Sequence, residues 1–173
     1  MRNTWTVLAI VTFSALALTV IRVGAQSLQP TSETYSWSGE LVGFDPGGRT
    51  MTVKTRVVGA QALAELPHFK SGDRIVLTWS GFDTYADAIS GAVRYDASKN
   101  WHEPFTFPVE FVAYEGQYLT FKTPVPAASV EALKPLKAGE WVTAISRHRP
   151  GNEADAITTV HAYTASAALP STT

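Results

Sequence analysis

The chain has 173 residues, a length that suits one ordinary domain or two small ones. Its 14 basic and 15 acidic residues give a formal net charge of −1, which argues against a dominant role in binding nucleic acid or anionic membranes. Cysteine is absent, so the sequence excludes disulfides, thiol chemistry and a lipoprotein anchor, and the fold must depend on its hydrophobic core.

Residues 1–25 have the features of an export signal. Arg2 supplies a positive start, residues 5–21 carry no charge, and the sequence VGA at 23–25 has the small-residue pattern of a signal-peptidase site. The alternative is an uncleaved membrane anchor that contacts the bilayer through residues 4–21, with Arg2 on the cytoplasmic side. Both interpretations predict an exported protein. It would be periplasmic or extracellular, or anchored in the inner membrane with its bulk outside the cytoplasm.

The rest of the chain contains one pattern twice. The first copy begins WSGELVGFDPGGRTMTVKT at Trp37, the second begins FPVEFVAYEGQYLTFKT at Phe107, and they end at Tyr95 and Tyr163. The offset between equivalent residues stays at 67–70 residues. Such self-similarity is typical of a duplicated structural unit. The predicted divisions are repeats at 35–95 and 107–163, a linker at 96–106, and a disordered tail at 164–173.

Each copy predicts the order β-β-α-β-β. In the first, strands are predicted at 35–44, 50–58, 74–79 and 88–95, with a short helix over 59–66. In the second, a hairpin from 107 is followed by a helix over 126–134 and by strands at 141–146 and 156–163. The leucine and valine spacing gives each helix a narrow apolar face, and a helix of two turns must dock on something to be stable.

The hairpins predict a repeated charge pair. With turns centred on Gly47 and Gly116, Glu40 faces Lys54 and Glu110 faces Lys122, and the same register places Val42 opposite Thr52 and Tyr114 opposite Tyr118. Opposite charges across an antiparallel pair contribute about 0.2–1 kcal/mol. We therefore predict a structural role for both pairs, and no catalytic residue.

The hairpin, the short helix and the tight turn before the third strand resemble OB-like small β-barrels, which are found in exported binding domains. The resemblance implies a mainly β fold of two tandem OB-like barrels after an N-terminal hydrophobic helix, or one larger barrel shared by the two copies. The pattern also looks like that of periplasmic copper carriers, which bind metal through Met, His and Trp. Met51 is the one methionine after the export segment and is predicted to point inward, so the thioether pair is missing. We predict no metal and no cofactor.

The four histidines lack the spacing of metal ligands. His161 is predicted to be a packed strand residue, and His102 a junction contact in the linker. His148 belongs to a basic cluster with Arg147 and Arg149, which is either a solvated loop or a site for a small anion or a partner.

Three tryptophans break the symmetry of the duplication. Trp79 aligns with Ser146, Trp141 aligns with Arg74, and Trp101 lies in the linker. Exposed aromatic residues are favoured at protein interfaces and sugar-binding faces, so these three are candidate binding residues. The alternative is that Trp79 and Trp101 seal the seam between the copies.

No motif of a known catalytic class is present. The sequence therefore predicts a non-catalytic exported binding or scaffold protein whose partner is another protein. If the N-terminal segment is retained, it would be an accessory subunit on the outer side of a membrane complex. The alternative is a periplasmic carrier of a small ligand or glycan, and the weakest alternative is a metal carrier that uses histidines.

Overall fold

The computed structural model describes residues 33–80, 88–96, 104–150 and 156–164. The first repeat contains β1 (Thr34–Asp45), β2 (Thr50–Arg56), α1 (Ala60–Glu65), a 3-10 turn (Leu66–His68), β3 (Arg74–Ser80) and β4 (Ala88–Arg94). The second contains β5 (Thr106–Glu115), β6 (Tyr118–Pro124), a 3-10 turn (Ala127–Ser129), α2 (Val130–Leu133), β7 (Trp141–Arg147) and β8 (Ile157–Ala162). The mainly β class is confirmed. Both repeats have the order β-β-α-β-β, but the 3-10 turn follows the helix in the first repeat and precedes it in the second.

The described strands form one antiparallel sheet of eight, in the order β4-β3-β5-β6-β2-β1-β7-β8. Its pairing crosses between the repeats: β3 of the first pairs with β5 of the second, and β7 of the second pairs with β1 of the first. The two repeats therefore share a sheet, and each supplies strands that hydrogen-bond to the other. The OB-like barrel form of the repeats stays a prediction.

The sheet has an approximate twofold axis at its centre. There β2 pairs with β6, and Val53 lies opposite Phe121, its equivalent in the other repeat. Beneath this pair the equivalent residues Trp37 and Phe107 stack face to face, with ring centroids 4.8 Å apart and planes 6° apart. Since both rings are almost fully buried, the centre of the core is built equally by the two repeats.

The first hairpin of each repeat, β1–β2 and β5–β6, contains a β-bulge that the predicted register did not include. Glu40 pairs with Lys54 as expected, but the register then shifts, so that Gly43 rather than Val42 lies opposite Thr52. The same shift occurs between Phe111 and Ala113. The predicted pairings beyond each shift, including Val42 with Thr52 and Tyr114 with Tyr118, are wrong. One extra residue on the bulged strand causes the change.

The turns before β3 and β7 are alike. Gly72 and Gly139 have φ of +91° and +92°, a conformation that glycine adopts without strain. The Asp73 carboxylate accepts the Lys70 amide at 3.0 Å, and Glu140 accepts the corresponding amide of Lys137. The hydrogen bond from the Lys70 amide, together with nearby Arg94, lowers the pKa of Asp73.

The helices dock at the two edges of the sheet. The Gln61 side chain holds α1 on β4, since its Nε2 donates to the Ala92 carbonyl at 2.8 Å and its Oε1 accepts the Ala92 amide at 2.9 Å. In the second repeat the hydroxyl of Ser129 accepts the Val160 amide at 2.8 Å. Leu66 and Leu133 are fully buried, in accordance with the predicted apolar faces.

The predicted export segment at 1–25 and residues 165–173 of the predicted tail lie outside the described residues, as does most of the predicted linker. In the ranges that are described, neither helix has the length and apolarity needed to cross a membrane.

Candidate functional site

The outer face of the sheet carries an exposed aromatic pair that only one repeat has. Trp141 begins β7 and Tyr163 follows β8, and the Tyr163 amide donates to the Trp141 carbonyl at 2.8 Å. Their rings meet edge to face with centroids 6.3 Å apart. The side chains remain exposed, Trp141 at 49% and Tyr163 at 43%. In the first repeat the equivalent positions hold Arg74 stacked 4.0 Å over the ring of Tyr95, so the same place there is cationic.

A carboxylate lies beside this aromatic pair. Glu40 is opposite Trp141 across β1 and β7, and cross-strand partners share a face of the sheet. It is also opposite Lys54, but the Lys54 ammonium lies 5.2 Å from the centroid of the Tyr118 ring. Within the described ranges no cation forms an ion pair with Glu40. We name Trp141, Tyr163 and Glu40 the Trp141 face.

The corresponding carboxylate in the other repeat, that of Glu110, forms an ion pair. Glu110 Oε1 lies 2.8 Å from Lys122 Nζ in a half-exposed ion pair, and Arg74 is its partner on the neighbouring strand. The two predicted charge pairs thus differ in their contacts, although both occupy matching places in the register. The difference comes from Tyr118, which the first repeat replaces with Thr50. The Trp141 face joins two exposed aromatic rings to a carboxylate that forms no ion pair within the described ranges.

The other candidate tryptophans lie elsewhere. Trp79 is 3% exposed, and its ring packs 6.1 Å from that of Trp37, so the core holds it. Its ring therefore packs in the core and is not exposed to a partner, while the predicted sealing of the seam by Trp79 and Trp101 stays a prediction. Trp101 and His102 lie outside the described residues.

The three residues of the predicted basic cluster differ in burial. The His148 ring is half-buried and stacks on Tyr35 with centroids 5.7 Å apart, while its edge meets Phe105 at 4.7 Å. Arg147 and Arg149 are exposed on either side of it, and neither forms an ion pair with a described residue. His148 is therefore a packing residue at the end of β7.

Tyr35, beneath His148, is a buried phenol. Its side chain is 4% exposed, and its hydroxyl makes no hydrogen bond of good geometry with the described part of the chain. The neighbouring hydroxyl of Ser146 accepts the indole N–H of Trp37 at 2.8 Å. Burial raises the pKa of Tyr35 well above its usual range, and Ser146 offsets this only in part. The neutral phenol is thus the form that the fold stabilises.

Replacing Tyr35 with phenylalanine tests this buried phenol. At pH 7 the free energy of unfolding should be unchanged or slightly higher, because an unsatisfied buried hydroxyl is removed. A raised pKa contributes stability that is present below the unfolded value, about 10, and is lost as the pH rises beyond it. As the pH rises above ~10, the free energy of unfolding measured with urea should therefore fall more in the wild type than in the variant.

The exposed Tyr118→Phe variant is the control for this measurement, since its hydroxyl is not buried. It should follow the wild type at both pH values. Equal alkaline losses in Tyr35→Phe and the wild type would contradict the assignment.

The metal-ligand residues do not cluster. Among the described residues, no group of three His, Cys, Asp or Glu side chains is placed to hold a metal ion. Met51 is fully buried beside Val53, as its inward position in the hairpin predicted. His161 is half-buried on β8, with Nδ1 2.8 Å from the Ala162 carbonyl.

The sequence contained a signal for the Trp141 face that the separate positions did not reveal. Trp141 replaces Arg74 and Tyr163 matches Tyr95, so the cationic stack of one repeat becomes an aromatic pair in the other. Comparison of the chain with known proteins finds no matching family model, no matching curated protein and no matching solved structure.

Proposed function

We propose that this chain is a non-catalytic, exported binding or scaffold protein, and that the Trp141 face is the surface that binds its partner. The supporting observation is the exposed Trp141–Tyr163 pair beside Glu40, which forms no ion pair with any described residue. Tryptophan and tyrosine dominate the binding energy of many protein interfaces, because they bury a large rigid surface. The partner is another protein, and the carboxylate selects a basic side chain on it.

An arginine on the partner fits this face best. Its guanidinium can bind the Glu40 carboxylate and stack on the Trp141 ring in the same pose, which a lysine ammonium does less well. An interface centred on such an anchor, with Val42 exposed near its rim, has the usual pattern of an apolar centre and a polar surround. No step of this proposal requires a reacting group or a cofactor.

The export component rests on the sequence of residues 1–25. With that segment retained, the protein is an accessory subunit docked on the outer side of a membrane complex. A periplasmic carrier of a glycan is the second candidate, because sugars also stack on exposed tryptophan and hydrogen-bond to carboxylates. The Trp141 face would serve that role too.

We further propose that the shared sheet forms an OB-like ring of five strands drawn from both repeats. A parallel bridge from Val57 to Ile89 connects the end of β2 to β4. With the pairing order β4-β3-β5-β6-β2, this contact favours closure of a five-stranded ring. Five is the strand number of the OB fold, and neither repeat has it alone.

Affinity purification from membranes tests the binding surface. The full-length chain and its Trp141→Ala variant serve as baits, and proteins recovered with the wild type are then rebound in purified form. Loss of a central aromatic anchor should weaken binding by about 2 kcal/mol or more, roughly thirtyfold. Glu40→Gln should weaken it less and reduce its dependence on salt.

Val93→Ala is the matched control, since Val93 on β4 is exposed to the same extent as Trp141. It should retain full binding. Equal recovery of every partner by Trp141→Ala and the wild type would refute the protein-binding proposal. A glycan titration monitored by intrinsic fluorescence, with a response lost in Trp141→Ala, would establish the second candidate instead.

A further inference from the structure

A cleft lies on the second repeat, where the first repeat is closed. Its volume is about 560 Å³, within the range of sites for small molecules. The β1–β2 turn, the end of β6 and the start of β8 form its walls. The lining residues that matter most are Arg49, Pro108, Thr123, Val125, Pro126 and Ile157.

Proline explains why the cleft is open. In the first repeat the amides of Val58 and Gly59 both donate to the Ile89 carbonyl, at 2.9 and 3.2 Å, which seals β2 against β4. The residue equivalent to Val58 is Pro126, and Ile157 is equivalent to Ile89. Because proline has no N–H, the principal closing bond cannot form between β6 and β8.

A buried hydroxyl in the wall has no partner. Thr123 is 1% exposed, and its Oγ1 forms no hydrogen bond within the described ranges. Its equivalent, Thr55, donates to the Ser38 carbonyl at 3.5 Å. An orphaned buried hydroxyl costs free energy that a bound polar group can recover. The second repeat thus carries, at this position, a buried hydroxyl without the acceptor that its counterpart in the first repeat has.

A cation lies at the rim. Arg49 is exposed, lines the cleft, and forms no ion pair with a described carboxylate. It has a φ of +49°, unusual for a residue other than glycine, and its carbonyl accepts the Val125 amide at 2.8 Å. The turn is thereby joined to the wall of the cleft. Arg49 comes from the first repeat, and its equivalent in the second repeat is the uncharged Gln117.

We propose that this cleft is a second binding site, separate from the Trp141 face, for a small carboxylate with an apolar tail. The guanidinium of Arg49 pairs with the carboxylate, as its planar donors suit that group. The tail lies against Pro108, Pro126 and Ile157 in the wall that also contains Thr123. Each element of the site is a departure from the closed state of the other repeat.

Titration of the full-length chain with sodium hexanoate, followed by amide NMR, tests the proposal. The amide signals of Thr123 and Val125 should move in a saturable way. Hexanol, which has the same tail without the charge, should bind at least about fivefold more weakly. Arg49→Gln, which installs the equivalent residue of the second repeat, should weaken hexanoate binding by about the same factor.

Pro126→Val restores the closing amide and should abolish saturable binding while leaving the protein folded. Arg56→Gln removes another exposed arginine, at the end of β2, and should leave hexanoate affinity unchanged. The proposal is overturned if the wild type shows no saturable shifts, or if Arg49→Gln, Pro126→Val or hexanol matches wild-type binding of hexanoate. Failure here leaves the Trp141 face untouched, since its test uses different variants and a different ligand.

Discussion

Gly59→Ala is expected to destabilise the protein by about 3 kcal/mol or more, because there is no space for a side chain at this position. A Cβ at Gly59 would overlap the backbone carbonyl of Ser90. The obstacle is main chain, so no rotamer change relieves it. The Gly59 amide also bonds to Ile89, so that a shift would separate the start of α1 from β4. Urea unfolding followed by circular dichroism measures the loss.

Gly43→Ala is the matched control for Gly59→Ala. A Cβ at Gly43 meets nothing within 4 Å, and the residue lies in a strand. Alanine there should be neutral or stabilising by up to about 1 kcal/mol, since glycine in a strand loses more backbone entropy on folding. Similar losses of unfolding free energy in both variants would contradict the claim that the close approach of β4 to the start of α1 makes Gly59 intolerant of a side chain.

Trp37→Ala should cost about 3–5 kcal/mol, the range for truncating a large buried aromatic residue. The Trp37 side chain is 1% exposed, stacks on Phe107 and donates to Ser146 at 2.8 Å. Its removal leaves a cavity near the approximate twofold axis. It also removes the indole N–H that donates a hydrogen bond to the Ser146 hydroxyl. The midpoint of urea unfolding should therefore fall in proportion.

Trp141→Ala provides the contrast, since it removes a tryptophan from the surface. Its unfolding free energy should stay within about 1 kcal/mol of the wild type. Circular dichroism is the suitable probe for both variants, because each removes a fluorophore. A loss of under about 1 kcal/mol in Trp37→Ala would contradict the assignment of the stack as the centre of the core.

The sequence predicted the elements well because their signals are local. The turn glycines at 72 and 139, the alternation of Thr and Val in β2, and the leucines of the short helices all act within a few residues. Glu40 and Lys54 also face each other as expected, although the bulge at Val42 shifts the pairs on the turn side of it by one residue. These features needed no knowledge of the distant chain.

Strand partners and exposure were harder to predict, because they depend on distant residues. Nothing local to β3 specifies that it pairs with β5 rather than with its own β1. The bulge at Val42 depends on how β1 bends between β2 and β7, so counting residues from the turn missed it. Trp79 and Trp141 both break the repeat symmetry in sequence, but only the folded sheet separates the buried residue from the exposed one.

The crossed pairing of β3 with β5 and of β7 with β1 has an evolutionary consequence. A polypeptide with only one such unit would present both strand edges without partners, and the contacts that satisfy them belong to an identical neighbour. Joined about the Val53–Phe121 axis, two of these polypeptides make an isologous, intertwined homodimer. In the present chain the two halves are joined covalently, so each can differ in sequence where a symmetric dimer of identical polypeptides would require equality.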